Sequence, residues 1–523
     1  MTKKNKKIAV VGAGHNSLVC ATYLAKAGFS VDVFESRSQV GGMVGSRKLG
    51  EEYTVPGAAH LLSHIDETVF KKLNLKKHGL EYAAQNLKTV SLNTSGNALI
   101  IDGDEVDGDD ITMKEKEDFK ALKKRMDKLA GFFESIYAKK PPRLGSDDRE
   151  DMMSLASLGA NVRFGLGKDS MSDLLKFIAV NIYDVLNELT DHDHLKGTLA
   201  LDAVLGNHMG PRTNNSVVTY LHQLTGGIDG KNGSRALVTG GTESFTKSLE
   251  EVAKKAGVNI HLNASVQSIA FTDDLEITGL VLKNGDTHNA DIVVSGIDPR
   301  STFNCLVGPK KLEAGVVHKV NNVRMRGNAA KLHLGLSAKP KFKGVSEEDL
   351  GQRILYSPSM EYLERTFDFN KYGQISDELP MEITIPSIHD KTLAPKGHHV
   401  LSAIVNYVPY HLKEGWENSK SKVLEQCINQ LDGLAPGLKG NVVEAELLTP
   451  VDIEEEFGIT GGQWHHGELT FDQFLMLRPV PKMAQYKSPI ASLYMCGAGS
   501  HPGGGIMGTA GKNAAMEIMK RES

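Results

Sequence analysis

The feature that most constrains the fold lies close to the start of the chain, where two apolar runs flank a glycine-bearing segment. Ile8–Val11 has the continuous apolar character of a strand buried on both faces of a parallel sheet. After Gly12 and Gly14 comes a segment with an apolar stripe, closed by Gly28, which predicts a helix. A second apolar run follows and ends at Glu35. This β-α-β pattern predicts an α/β fold with a Rossmann-type domain.

The residue types of this unit suit a dinucleotide. Gly12 permits the tight turn, Gly14 lets the backbone approach a pyrophosphate, and the helix N-terminus offers N–H groups to the anion. Glu35 can accept a hydrogen bond from a ribose 2′-hydroxyl, and its charge would repel a 2′-phosphate, which disfavours an NADP-type ligand. The usual third glycine is replaced by Ser17. Because serine is small, we expect only a slight widening of the helix–strand crossing.

A second glycine pair and a distant third cluster extend this interpretation. Gly41 and Gly42 suit a second phosphate-proximal loop, which is typical of FAD enzymes. Near the other end, Leu493–Cys496 predicts a strand and Thr509 begins a helix. The loop between them carries glycines at 497, 499 and 503–505. Two glycine-rich loops from opposite ends predict one extended ligand, and FAD has that length.

Composition bears on the number of domains, the class of partner and the cellular compartment. A chain of 523 residues with 40% hydrophobic residues predicts more than one compact unit, and a net charge of −4 disfavours nucleic acid as a partner. The four cysteines form no CxxC pair, which favours a reducing compartment. No run of about 18 apolar residues occurs, so we expect a cytoplasmic protein. The short run "HHGE" lacks distant partners, and we predict no metal site.

Several motifs make the chain resemble the phytoene desaturase-like branch of the flavin amine oxidase superfamily. The pairing of "GGQWHHGELTFDQ" with "GAGSHPGGGIMG" is the most specific of them. The motifs occupy residues 10–42, 237–260, 290–303, 461–481 and 493–515. They reach both ends and the middle, so the resemblance covers nearly the whole chain.

The resemblance implies a set of FAD contacts. The pyrophosphate loop and its ribose ligand correspond to Gly12, Ala13, Gly14, His15, Asn16, Glu35 and Ser36. The second loop corresponds to Gly41 and Gly42, and the adenosine end to Val266. The loop against the flavin ring corresponds to Gly497, Gly499, Gly505, Ile506 and Met507.

The same resemblance predicts how the chain is divided. A discontinuous FAD-binding domain comprises residues 1–60, 236–303 and 482–523, and an α+β substrate-binding region with a helical lid comprises 61–235 and 304–481. Apolar periodicity predicts helices over 117–137 and 171–189. The first has its stripe at Phe119, Leu122, Met126, Leu129 and Phe133. Three roles for these helices stay open: packing into a core, covering an apolar substrate tunnel, or facing a bilayer surface.

As an activity, the resemblance implies FAD-dependent desaturation of carbon–carbon bonds in a long hydrophobic substrate, such as a carotenoid, isoprenoid or unsaturated lipid. Oxygen or a quinone would accept the electrons. Three alternatives stay open: a redox-neutral double-bond isomerase of polyenes or unsaturated fatty acids, an amine oxidase, and a non-catalytic flavin-bearing lipid-binding protein. Peripheral membrane contact and a homo-oligomer are also left open.

Candidate catalytic groups come from two polar stretches. His501 lies within the C-terminal glycine loop, where an imidazole that titrates near neutral pH can move a proton. His466 and Glu468 lie in "GQWHHGEL", next to His465, and His60 is a further polar candidate. The alternative for each is a framework role, with hydrogen bonds to loop backbone.

Overall fold

The computed structural model describes residues 6–143 and 145–522, so the extreme ends of the predicted FAD-binding segments lie outside the described residues. Its centre is a five-stranded parallel sheet built from three distant parts of the chain. In spatial order the strands are Asn259–His261, Ser30–Phe34, Lys7–Val11, Ile292–Ser295 and Leu493–Met495. Each strand falls within one of the three segments predicted for the FAD-binding domain.

Two layers cover this parallel sheet. One face packs against a group of helices that share an apolar cluster with the sheet: His15–Lys26, Thr242–Lys255 and Thr509–Arg521. The other face packs against a small antiparallel sheet of Val266–Phe271, Ile277–Leu282 and Thr287–Asn289. Covered on both sides, the central strands are largely apolar, as the sequence predicted.

The departure at Ser17 is compensated on the opposing strand end. A Cβ atom on Gly296 would lie only 1.8 Å from Ser17 Oγ. The glycine that allows the close helix–strand crossing therefore stands directly after Ile292–Ser295 instead of in the helix. The crossing is therefore tight. The slight widening expected from the sequence does not occur, because Gly296 leaves room for the Ser17 side chain.

A mixed eight-stranded sheet forms the framework of the second region. Most neighbours are antiparallel, but Thr89–Leu92 pairs in parallel with Arg353–Tyr356. The spatial order is Val442–Leu448, Ala329–Leu336, His399–Asn406, Met381–Thr384, Arg353–Tyr356, Thr89–Leu92, Leu99–Asp102 and Glu105–Asp107. Three two-stranded ribbons complete the strands: Ser46–Leu49 with Tyr53–Pro56, Tyr82–Gln85 with Ala236–Val238, and Gly227–Ile228 with Lys231–Asn232.

The described residues form eleven further α-helices, of which Glu67–Leu73 and Ala314–Asn321 pack into the apolar clusters of the parallel sheet. The eleven helices are Glu67–Leu73, Met113–Tyr137, Arg149–Ala160, Gly167–Ala179, Ile182–Leu189, Asp193–Val204, Ser216–Gln223, Ala314–Asn321, Met360–Lys371, Trp416–Leu434 and Pro450–Phe457. The apolar stripe predicted for the first long helix is confirmed, since all five of its residues are buried. The continuous helix predicted over 171–189 is wrong. Asn181 interrupts it because its side chain accepts a hydrogen bond from Asp184 N (2.8 Å) and caps a new helix.

All four cysteines have free thiols. Within residues 6–143 and 145–522, no helix has both the length and the apolar character needed to cross a bilayer.

Candidate functional site

The glycine loops from the two ends of the chain line one cavity of about 640 Å³. Gly14 contributes from the N-terminal loop and Gly505 from the C-terminal loop. Glu382 and Ile404, from neighbouring strands of the mixed sheet, line it as well. The cavity therefore lies where the parallel sheet and the second region meet.

The N-terminal loop has the geometry of a backbone cradle. Gly12 adopts φ 87°, and its N–H donates to Phe34 O (2.8 Å) at the end of the neighbouring strand. Gly41 N donates to Ala13 O (2.9 Å), which brings the second glycine pair against the first loop. No atom lies within 4 Å of a Cβ built on Gly14. The open space at Gly14 fits a pyrophosphate, because only a glycine lets the ligand reach the main chain there.

Glu35 is fixed at the end of the second strand. Its carboxylate accepts hydrogen bonds from Ala13 N (2.7 Å) and Arg37 N (3.0 Å), and it is buried at the cavity wall. A carboxylate has further lone pairs, so a ribose hydroxyl can be bound in addition. Arg37, which the sequence did not single out, donates to Gly42 O (3.1 Å) and covers the ring of Phe457. It couples the acidic residue to the second loop.

His15 connects the two glycine loops. Its Nε2 lies 3.1 Å from Gly505 O, and since a carbonyl only accepts, Nε2 carries the proton. Burial lowers the pKa of His15 to about 4, so the ring is neutral at pH 7. Gly505 has φ 123°, and a Cβ there would lie 3.0 Å from His64 Cγ. The C-terminal loop thus passes between two histidines.

Three histidines at this end of the cavity keep polar atoms without partners. His64 Nε2, His465 Nδ1 and His466 Nδ1 are buried, and none has a hydrogen bond to any residue within 6–143 or 145–522. Burial lowers the pKa of His466 to about 4 and holds the pKa values of His64 and His465 well below their usual range. Neutral imidazoles with unpaired nitrogens fit the polar edge of a flavin or substrate.

A group of charged side chains, here called the polar wall, closes the far side of the cavity. Arg353 is fully buried and binds Asp202 through both terminal nitrogens and Glu382 through Nε. His60 Nε2 donates to Glu382 Oε1 (2.9 Å). Arg235 lies 3.4 Å from Asp202. Although burial opposes ionisation, Arg353 and His60 hold the pKa of Glu382 well below its usual value.

Lys331 stands on the same face of the mixed sheet. Lys331 and Glu382 both pair with Ile404, from opposite sides, so the three side chains share one face. Lys331 is 0% exposed, and its Nζ has no hydrogen bond within the described part of the chain. Burial holds the pKa of Lys331 well below its usual value. Of the polar wall and Lys331, the sequence pointed only to His60. For Lys331, Arg353 and Glu382 the available signal is a charged residue within a buried apolar strand; Asp202 and Arg235 lie outside the strands and carry no such signal.

The structure separates the predicted catalytic candidates. His466 lines the cavity, whereas His501 and Glu468 do not. His501 is fully buried with Nε2 3.3 Å from Ile136 O, and burial lowers its pKa to about 4. Glu468 is buried and binds Arg326 (2.7 Å). The side chains of His501 and Glu468 thus contact neighbouring protein groups and lie outside the cavity lining.

Most predicted cofactor residues line the same cavity: Gly12, Gly14, His15, Asn16, Glu35, Ser36, Gly41, Gly42, Val266, Gly497, Gly505 and Ile506. Three stand behind it. Ala13 holds Glu35 through its N–H, and Gly499 packs on Pro299, whose Cδ would be 2.7 Å from an added Cβ. Met507 belongs to the apolar cluster of the helical region. Among the described residues, no three His, Cys, Asp or Glu side chains form a metal-binding group.

Comparison with known proteins identifies the family. The family model described as flavin containing amine oxidoreductase matches residues 18–519. The chain belongs to this family. The protein is therefore an FAD-dependent oxidoreductase, and the cavity between its two glycine loops has the residues to hold FAD. The predicted Rossmann-type α/β fold and the predicted cofactor are both confirmed.

Relatives of this flavoprotein agree with the branch that the motifs indicated. Pyridine nucleotide-disulfide oxidoreductase domain-containing protein 2 of Rattus norvegicus is 29% identical, with 98% of this chain and 93% of that protein covered. The 4,4'-diapolycopen-4-al dehydrogenase of Metabacillus indicus is 25% identical, with 96% and 94% covered. Phytoene desaturases are also among the relatives. Putrescine oxidase bound to putrescine has the same fold, with a TM-score of 0.61, 17% identity and 99% of each chain covered.

Proposed function

We propose that this flavoprotein desaturates a carbon–carbon bond of an apolar substrate, an isoprenoid, carotenoid or unsaturated lipid, and passes the electrons to oxygen or a quinone. The observation that carries the proposal is the continuity of the cavity with the helical region. Leu205 and Ile404 line the cavity and belong to a large apolar cluster. That cluster continues through the helices Met113–Tyr137 and Ser216–Gln223, which act as a lid that excludes water.

When bound, FAD supplies the hydride acceptor for such a reaction. The chain's own residues bind and orient the two molecules, and one of them must take the second proton. His466 is suited to this step because it is neutral, lines the cavity and keeps Nδ1 unpaired within the described residues. His64, on the other side of the C-terminal loop, is suited to orient the substrate.

The aromatic content of the cavity favours this reaction over amine oxidation. Trp464 is the one Trp, Tyr or Phe side chain that the described lining offers at the end of the cavity formed by His64, His465 and His466. Phe34 and Phe457 also line the cavity, but they lie near Glu35 and Arg37, at the ribose end. A cage of two facing aromatic rings for a cationic amine is therefore not formed by the described residues there.

Anaerobic mixing distinguishes the candidate reactions. The FAD-loaded protein is mixed with limonene, β-carotene, an unsaturated fatty acid or putrescine, and flavin absorbance is followed together with product mass. Bleaching by an unsaturated apolar compound, with a product lighter by two hydrogens, is the expected result. Conversion at unchanged mass, and only after prior flavin reduction, would indicate an isomerase. Bleaching by putrescine alone would indicate an amine oxidase. Bound lipid without any flavin bleaching would indicate a binding protein.

His466→Gln tests the proton-transfer role. We expect FAD content to be retained and flavin reduction to slow by about a hundredfold or more, because general base catalysis contributes about that much. Stopped-flow absorbance measures the rate. His411→Gln, on an exposed residue, is the matched control and should react like the unmodified protein. An unchanged rate in His466→Gln would return His466 to a framework role.

We also propose that the protein works in the cytoplasm with one face on a membrane surface. Large apolar side chains are exposed on and between the helices Arg149–Ala160 and Gly167–Ala179, with Phe164 82% and Leu175 67% exposed. Such a patch suits a lipid surface. The protein should sediment with phosphatidylcholine–phosphatidylglycerol vesicles, and Phe164→Ser with Leu175→Ser should abolish this. Tyr372→Ser, on another exposed ring (75%), should not; equal sedimentation of all variants would contradict the proposal.

A further inference from the structure

We propose that the substrate carries an ionised acid group and that Arg235 binds it at the polar wall. This inference rests on the proposed function, and it narrows the substrate from an apolar molecule to an amphiphile. The apolar part would lie along Leu205 and Ile404, and the acid group would face Arg235.

Arg235 is the guanidinium of the polar wall that lines the cavity, and its side chain keeps 12% exposure. Among the described residues it makes two hydrogen bonds, both long: Nη1 to Gly233 O (3.3 Å) and Nη2 to Asp202 Oδ1 (3.4 Å). A guanidinium has five N–H donors in a planar fork that matches a carboxylate. Arg235 therefore has donors available for a ligand.

The acidic residues nearby do not oppose an anion. Asp202 is bound by both terminal nitrogens of Arg353, and the two oxygens of Glu382 are taken by Arg353 and His60. Arg353 itself is 0% exposed and does not line the cavity. Two guanidinium groups thus balance two carboxylates. Because both carboxylates are already paired, the donors left on Arg235 are free to bind an acid group of the ligand.

Two further polar groups are placed to complete the acid site. The amide of Gln223 lines the cavity, and His64 Nε2 is buried without a hydrogen-bond partner among the described residues. Leu62 and Ala236 exchange backbone hydrogen bonds (2.9 and 3.0 Å), so the segments that carry His64 and Arg235 lie side by side. His64 is next to the C-terminal loop, since a Cβ atom on Gly505 would lie 3.0 Å from His64 Cγ. The acid group would therefore be held beside the C-terminal loop, close to the bond that reacts.

The test compares acids with their neutral esters on the FAD-loaded, full-length protein. Farnesoic acid and oleate, each with its methyl ester, are titrated against the flavin absorbance spectrum to obtain dissociation constants. We expect each acid to bind at least about tenfold more tightly than its ester, because the hydrogen bonds between a guanidinium and a carboxylate are charge-assisted. Arg235→Gln should remove this preference, so that each acid and its ester bind with similar affinity.

Two variants keep the result interpretable. Arg365→Gln makes the same change on a 76% exposed side chain and should retain the full preference. Arg235→Lys keeps the positive charge but loses the planar fork of donors, and it should retain part of the preference for acids. It takes the place of Arg235→Gln in the test if that variant loses FAD or unfolds at a lower temperature. Equal affinity for acid and ester, or an intact preference in Arg235→Gln, would overturn the inference.

The same titrations separate this inference from the proposed function. Flavin reduction by limonene or β-carotene, with acids no better than esters, would overturn the acid site and leave desaturation standing. Tighter binding of acids without flavin reduction by any unsaturated compound would support the acid site and overturn desaturation. Binding of neither acid would overturn the inference whatever reduces the flavin.

Discussion

Gly14 is a residue whose missing side chain matters to the ligand and not to the fold. Its φ of −66° suits any amino acid, and no atom lies within 4 Å of an added Cβ. We expect Gly14→Ala to fold with an unchanged melting temperature in the absence of FAD. Its FAD affinity should fall by about 1–3 kcal/mol, the range for overpacking, because the methyl group occupies the space for the pyrophosphate.

Isothermal titration with FAD, together with thermal unfolding of the apoprotein, measures both effects of Gly14→Ala. Gly131→Ala is the matched control, since it also meets no atom within 4 Å but lies in the helix Met113–Tyr137. That variant should bind FAD normally and gain up to about 1 kcal/mol of stability. Unaltered FAD affinity in Gly14→Ala would contradict the assignment of this loop to the phosphates.

At the scale of elements, the crossing of the first helix over the central strands depends on the pair Ser17 and Gly296. A Cβ on Gly296 would lie 1.8 Å from Ser17 Oγ and 3.1 Å from Val11 O. We expect Gly296→Ala to lower the free energy of unfolding by about 1–3 kcal/mol through overpacking. Ser17→Gly should recover most of that loss, because it removes the closer contact.

Chemical denaturation of the two single variants and the double variant gives the coupling energy of this crossing. We expect the double variant to be more stable than Gly296→Ala alone by about 1 kcal/mol or more. Simple additivity of the two effects would show that the Ser17 side chain does not set the distance between helix and strand. Gly296 would then not compensate for the serine at the third glycine position.

The sequence predicted elements where the pattern is local. The opening strand, its glycine turn and the acidic strand end were recognisable because consecutive residues alternate or repeat on one element. The helix predicted across Asn181 was wrong because a single capping side chain outweighs apolar periodicity. Arg353 and Asp202 are 151 positions apart, and nothing in their own segments indicates that they meet. His501 was attractive for its place in the glycine loop, but closeness along the chain did not bring its ring to the cavity.

At the scale of the whole molecule, both regions keep neutral histidines in the interior. Burial lowers the pKa from 6.5 to about 4 at six of them: His15, His60, His194, His222, His466 and His501. Between these pH values the unfolded chain binds protons that the folded chain does not. The stability these groups provide is therefore complete above pH 6.5 and is lost as the pH falls toward about 4. Each histidine contributes a slope of about 1.4 kcal/mol per pH unit in this range.

Thermal and denaturant unfolding across that pH range measures the summed slope, and a histidine variant identifies its source. His222 accepts from Tyr137 Oη and donates to Gly504 O (2.8 Å each), so His222→Gln keeps a polar group in place without a titrating ring. We expect this variant to be less stable at neutral pH but to lose stability less steeply on acidification, by one histidine's share. A melting temperature that is constant from pH 6.5 to 5 would contradict the burial of these rings as neutral groups, since their protonation is what must destabilise the interior.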